Sequence, residues 1–398
     1  MQITDKDQLP EIMRNMRIPC LVLADAHIKP RTWTNWSQLR YDAYEALKGI
    51  HVITDNWPQH HRCRCILAGD TFDSSTVLSS DLIRLTEALT DYEVHYIRGN
   101  HDSVIPSYLE ALPNTSELTD DTPLVLTDST GIHSYKIFGL SYMSDRNALL
   151  ERLDAIAASL TRTELAEGIT LVLHQAMAHL IGYESAAQLS IDDITARLGT
   201  TPRVLVGHIH KVDYRPLSEG PGYILSPGSL YPTSWSDVAE PFCLTLIDLA
   251  GYSVFRLPNT VRSYHMLDTA VVGDRMRDTI SSIISCNTNP LRPAIRITAD
   301  DITDPRIPSV GSSDALITVT CRSGSSGEVG NSTAELLADD MSLMDAVRAD
   351  LSVLPEELSD AATKVAEYLL RSPDASSALI SMLEKWGCGI KPHRSSNV

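Results

Sequence analysis

Along the first 265 residues, short apolar runs of strand length alternate with stretches in which apolar residues recur every three or four positions. The runs are Pro19–Ala24 (PCLVLA), Cys65–Ala68 (CILA), Val94–Arg98 (VHYIR), Thr170–Leu173 (TLVL) and Arg203–Val206 (RVLV). Such near-continuous apolar runs, bounded by polar loops, predict short strands buried on both faces. The helical spacing is clearest over Trp36–Ile50 and Ser79–Thr90. Buried strands alternating with helices predict a layered α/β core with its chemistry in the loops at the strand ends.

Around Arg262–Asp268 the pattern changes. A helix over Val272–Ser285 leads to strands over Pro293–Ala299 (PAIRITA) and Ala315–Arg322 (ALITVTCR), which together predict a small α+β unit. Ser323–Ser332 (SGSSGEVGNS) has the Gly/Ser content of a flexible linker. Beyond it, helical periodicity returns over Ser342–Leu351, Pro355–Leu370 and Ser372–Trp386, and the tail KPHRSSNV is expected to be disordered. Those late helices are amphipathic and too few to bury a core of their own, so a partner is expected to cover them. The expected organisation is therefore 1–265, 266–330 and 331–398.

Composition narrows the class without naming a function. The hydrophobic fraction of 43% and charged fraction of 21% are those of an ordinary soluble globular protein. No apolar run approaches the roughly 20 residues of a membrane span, and the start MQITDKDQLPEIMRNMRIPC lacks the pattern of a signal peptide. The seven cysteines (20, 63, 65, 243, 286, 321 and 388) are odd in number and scattered, as expected of free thiols in a reducing cytoplasm. Cys63 and Cys65 would share one strand face with no second pair nearby, so they read as packing residues rather than a zinc site. The net charge of −18 counts against an unaided grip on nucleic acid, which usually shows as a basic footprint. Bound divalent cations would cancel part of it.

Five of the polar clusters that follow the strand runs carry the candidate chemistry: LADAH (Asp25, His27), AGDTFD (Asp70, Asp73), RGNHD (Asn100, His101, Asp102), LVLHQ (His174) and VGHIH (His208, His210). A pair of hard divalent cations needs oxygen and imidazole ligands and one carboxylate able to bridge them. Asp-x-His and His-x-His on extended backbone put alternate side chains on the same side, within reach of one site. Of the 13 histidines, 51, 60, 61, 95, 133, 179, 265 and 393 fall outside these segments and read as ordinary surface or core side chains.

D-x-H, G-D-x-x-D, G-N-H-D, a lone H and G-H-x-H, in that order, resemble the calcineurin-like metallophosphoesterases. The resemblance implies a four-layer sandwich of two mixed β-sheets flanked by helices, with 1–265 as the catalytic domain. It implies one metal held by Asp25, His27, Asp70 and His210, and a second by Asp70, Asn100, His174 and His208, with Asp70 as the bridge. His101 would lie beside the scissile phosphate, Asp73 would orient it, and Asp102 is expected to fix its loop through backbone hydrogen bonds.

Within that superfamily the chain is similar to SbcD-type nuclease subunits. GDTFD, GNHDS, LHQAMAHLIGYESAAQLSIDDI, ILSPGSLYPTSW and FCLTLIDL carry that similarity. PAIRITADD stands where those proteins begin a capping domain, and the segment from MSLMDAVRADL where they bind their ATPase. The resemblance implies a manganese-dependent exo- and endonuclease acting on DNA, a homodimer joined to an SbcC-type coiled-coil ATPase. One departure stands out: Lys29 and Pro30 follow Ile28 where the family often has Gly. Arg31, Arg40, Arg98 and Lys211 flank the motifs as DNA contacts or as solvated charges. Pro227-Gly228-Ser229 offers backbone N–H groups to phosphate, or is simply a tight turn. The rival readings are a small-molecule or nucleotide phosphodiesterase with the same metals, and a non-catalytic scaffold; the full set of ligand types speaks against the scaffold.

Overall fold

Alternation of side chains along the strands decides the layering. A computed structural model describes residues 6–28, 40–57, 63–74, 77–128, 133–167, 169–181, 188–217, 222–233, 237–239, 242–251, 253–258, 261–288, 291–300, 304–307 and 315–321. The linker, the helical region 331–398, Lys29, Pro30 and Arg31 lie outside the described residues.

The first strands are β1 (Pro19–Leu23), β2 (Arg64–Ala68), β3 (Glu93–Ile97), β4 (Thr115–Glu117), β5 (Leu124–Thr127) and β6 (Ser134–Leu140). Next come β7 (Thr170–His174), β8 (Arg203–Gly207), β9 (Asp213–Pro216), β10 (Tyr223–Ser226), β11 (Cys243–Asp248) and β12 (Val254–Pro258). The last three are β13 (Tyr264–Asp268), β14 (Ala294–Ala299) and β15 (Leu316–Cys321). Two six-stranded mixed sheets result, ordered β12-β11-β1-β2-β3-β4 and β5-β6-β7-β8-β10-β9, with a three-stranded sheet β13-β14-β15. In the first, β1 to β4 are parallel and β11 runs antiparallel to β1. In the second, β6, β7, β8 and β10 are parallel and both outer strands are antiparallel.

Helices α1 (Leu9–Arg14), α2 (Arg40–Thr54) and α3 (Ser79–Leu89) cover one face of the first sheet. Leu21 and Leu23 of β1 pack there with Ala46, Ile50 and Leu85. Their neighbours Cys20 and Val22 point the other way and meet Val172 and Leu205 of the second sheet. On its far face, Leu171, Leu173, Val204 and Val206 pack on α4 (Arg146–Ser159) and α6 (Ile191–Leu198) through Leu149, Leu153, Ile194 and Leu198. Between those helices in sequence lies α5 (Arg162–Glu167). The architecture is the four-layer sandwich expected, and a strand buried on both faces explains why the runs read as continuously apolar.

The chain divides into two compact units: residues to Met266 with Ser281–Ile295, and Leu267–Ile280 with residues from Arg296 onward. The helix expected over Val272–Ser285 begins later, as α8 (Met276–Cys286), after a short α7 (Thr269–Val272) and a 3-10 turn, Gly273–Arg275. Gly273 separates the two α-helices at φ +60°, a left-handed conformation that ends a helix turn and that glycine adopts without penalty. In the first unit, buried Arg262 grips buried Asp42 of α2 through Nε (3.1 and 3.0 Å) and Nη2 (2.8 Å), and Tyr264 also donates to that carboxylate. Among the described residues no helix is long and apolar enough to cross a membrane.

Candidate metal centre

The parallel strands of both sheets bring their C-terminal ends to a common edge, where His174 Nδ1 donates to the Ala68 carbonyl at 2.8 Å. The loops leaving β1 and β2 stay paired beyond the strands: Asp25 N–H bonds Gly69 O at 3.1 Å and His27 N–H bonds Asp70 O at 3.0 Å. From β8, the His208 N–H bonds the Asp25 carboxylate at 2.9 and 3.1 Å, joining candidate ligands 183 residues apart in sequence. Main-chain hydrogen bonds therefore fix the relative places of residues from three strand ends.

Three overlapping groups form there: Asp25, His27 and His210; His27, Asp70 and His101; and Asp70, His174 and His208, each with one ligand atom per residue within 4.8 Å of the others. His27 Nε2 lies 3.8 Å from Asp70 Oδ2 and 3.0 Å from His210 Nε2. His174 Nε2 lies 3.1 Å from the same Asp70 oxygen, and His208 Nδ1 lies 3.0 Å from Asn100 Oδ1. All seven expected ligands thus fall in one place, and Asp70 belongs to two of the groups.

The backbone is strained where they meet. Among the described residues, five non-glycine positions have positive φ, and four are candidate ligands: Asp25 (49°), His27 (40°), Asp70 (47°) and His208 (86°). Each such residue costs on the order of 1 kcal/mol or more, so their clustering marks a place where geometry overrides local preference. Gly99 has a different reason to be glycine: a Cβ there would lie 2.0 Å from Asp70 Oδ1 and 2.4 Å from Asp70 N.

Burial alone would raise the Asp70 pKa, but contact with His174 and the charges of His174 and His27 hold it well below the usual carboxylate range. Burial would depress His174; the Asp70 and Asp25 carboxylates reverse that and push it up to about 9. His208 is lowered, first by burial and then by His174. His210 is raised, because Asp237 and then Asp25 outweigh its burial.

The residues fit a pair of cations. His27 Nδ1 faces Asp73 Oδ1 at 3.1 Å and His210 Nδ1 faces Asp237 Oδ2 at 3.1 Å. When each neutral ring donates its Nδ1 proton to a carboxylate, Nε2 carries the lone pair. Two lone pairs then face each other at 3.0 Å, an arrangement that repels unless a proton or a cation lies against them.

His101 stands beside this cluster with its side chain 37% exposed. Its N–H bonds Asp70 Oδ1 at 2.9 Å, and its Nδ1 is 3.3 Å from the Asp73 carbonyl oxygen. The Asp73 carboxylate, expected to orient His101, is 4.0 Å from His101 Nδ1 and closer to His27. Asp102 accepts the N–H groups of Thr71 (2.8 Å), Phe72 (3.3 Å) and Gly99 (2.7 Å), the loop-fixing role expected of it. Asp237 and Tyr142, whose ring tilts against His208 at 5.5 Å, belong to none of the sequence motifs, and Thr233, within ILSPGSLYPTSW, is not among the expected site residues.

Of the flanking cations, Arg98 pairs with Glu117 at 2.7 Å and Lys211 is exposed. The Arg31 position and the Arg40 side chain lie outside the described residues. In the Pro227-Gly228-Ser229 loop, the Ser229 N–H points to the carbonyl of His210, 19 residues earlier, at 3.4 Å.

Residues 18–212 match the family described as calcineurin-like phosphoesterase. Similar solved structures include the calcineurin-like phosphoesterase YfkN from Bacillus subtilis, 11% identical over 58% of this chain and 84% of that one, with a TM-score of 0.36. Vps29 of Chaetomium thermophilum is 13% identical over 60% of this chain and 82% of its own, with a TM-score of 0.24. No curated protein sequence matches the chain.

Proposed function

We propose, from the match of residues 18–212 to the calcineurin-like phosphoesterase family, that the protein is a metal-dependent hydrolase of that family and a DNA nuclease of the SbcD type. The observation that carries the chemistry is the placing of Asp70: it lies in both a His27 group and a His174–His208 group, and receives the His101 N–H. When bound, two divalent cations, expected to be Mn²⁺, supply an acidified water and positive charge against the phosphate oxygens. Asp25, His27, Asp70 and His210 would hold one ion, and Asp70, Asn100, His174 and His208 the other. With Nδ1 turned to the Asp73 carbonyl, His101 keeps Nε2 to carry a proton to the leaving oxygen. That step is typically worth about 10²–10⁴ in rate.

The nuclease reading rests on the sequence forms GDTFD, GNHDS and ILSPGSLYPTSW, and on the long extension beyond the family match. A homodimer joined to an SbcC-type coiled-coil ATPase through 331–398 goes with it, the ATPase supplying the basic surface that offsets a net charge of −18 per chain. The same charge favours the second reading, a phosphodiesterase for small nucleotides. Incubating the Mn²⁺-loaded protein with linear duplex DNA, circular single-stranded DNA and bis-p-nitrophenyl phosphate separates the two. DNA degradation is expected; hydrolysis of the small ester with no attack on either DNA would select the second reading.

A further inference from the structure

We infer that Asp237, acting with Thr233, is a positioning residue that locks His210 into the orientation and tautomer needed to ligate a cation. The inference rests on the two-metal reading but concerns residues that are not among its expected ligands or catalytic groups. Asp237 opens a short 3-10 turn, Asp237–Ala239, in the segment between β10 and β11. One oxygen, Oδ2, gathers the Thr233 N–H (3.0 Å), the Thr233 hydroxyl (2.9 Å) and His210 Nδ1 (3.1 Å). Thr233 Oγ1 is itself 2.9 Å from His210 Nδ1. The imidazole edge is therefore cradled from two sides by groups that also fix each other.

The chemistry of that cradle is specific. A carboxylate at Nδ1 accepts a hydrogen bond from the Nδ1–H and leaves Nε2, 3.9 Å from Asp25 Oδ1 and 3.0 Å from His27 Nε2, as the ligating nitrogen. It also makes the ring a stronger donor to a cation, as carboxylate–imidazole pairs do around metal sites. His27 has the equivalent partner in Asp73, whereas His174 Nδ1 meets a neutral carbonyl. A role confined to holding the loop would need the Asp237–Thr233 bonds but not the approach of the same carboxylate oxygen to the His210 ring.

The test compares the full-length chain with Asp237→Ala, Asp237→Asn, His210→Ala and the Asp237→Ala/His210→Ala pair. Bound Mn²⁺ is counted by mass spectrometry after desalting and its affinity measured by titration calorimetry; the metal-free melting temperature checks folding. The wild type is expected to bind two ions. Asp237→Ala is expected to weaken one of them by about 10–100-fold and leave the other unchanged. Asp237→Asn keeps an oxygen for Nδ1–H and is expected to recover most of that loss. In the His210→Ala background, Asp237→Ala is expected to change nothing further. Wild-type affinity for both ions in Asp237→Ala, equal weakening of both, or full additivity in the pair would each overturn the inference while leaving the two-metal reading intact. A wild type that binds no ions would instead overturn that reading, and this inference with it.

Discussion

Asp70 is where the residue scale matters most, because one carboxylate serves His27, His174 and the His101 amide at once. Removing it should remove the ligand that both proposed ion sites share. Asp70→Ala is therefore expected to retain neither ion by elemental analysis, whereas His101→Ala, which removes no ligand, should bind two and lose about 10²–10⁴ in kcat. Full phosphodiesterase activity in either variant would show the assignment to be wrong. The ligands are legible in the sequence because each stands at the end of a strand run, in a spacing that only a shared site explains. Asp73 is legible as a site residue but not in its pairing. The bridge between Ile28 and Phe72, extended by Asp73 N–H to Ile28 O, sets its carboxylate alongside His27. Asp237 carries no such signal, since it reaches His210 from an irregular segment 27 residues away.

At the scale of elements, the site depends on how closely two strand-end loops approach. A Cβ added at Gly99 would strike backbone and carboxylate atoms of Asp70, which cannot retreat as the end of a flexible side chain would. Gly99→Ala is expected to lose metal binding as completely as Asp70→Ala, although it deletes no ligand; a chain that keeps two ions by calorimetry would refute this. Five interior strands, β1, β2, β3, β7 and β8, follow from the apolar pattern to within a residue or so because burial on both faces leaves a nearly unbroken apolar run. Edge strands such as β4, at most half-buried, and β9, exposed over most of its length, carry no such run and give no signal. The break between α7 and α8 is equally silent, because apolar spacing continues across Gly273 and only its backbone conformation ends the helix.

For the whole molecule, stability should depend on pH in two opposite senses. His95 is buried on β3 with Nδ1 2.8 Å from Ser116 Oγ, and burial lowers its pKa. The unfolded chain then binds that proton more readily, so its contribution is intact above about 6.5 and is lost as pH falls below that value. His95→Gln should make the urea midpoint change less between pH 7.5 and 5.5 than in the wild type. The Asp42–Arg262 pair works the other way, and nothing in the sequence links residues 220 positions apart. Burial pushes the Asp42 carboxyl above its usual range even though Arg262 opposes the shift. Arg262→Met would leave this carboxylate buried with the Tyr264 hydroxyl still donating to it, and breaking such a pair typically costs about 3–5 kcal/mol. Because a raised acid pKa favours the protonated folded state, the variant should be least impaired near pH 5 and lose stability as pH rises toward 8. Asp42→Asn combined with Arg262→Met removes the charge and should abolish that slope. Melting curves at the two pH values decide it: an Arg262→Met protein equally stable at both would mean that Asp42 is not the buried charge the geometry requires.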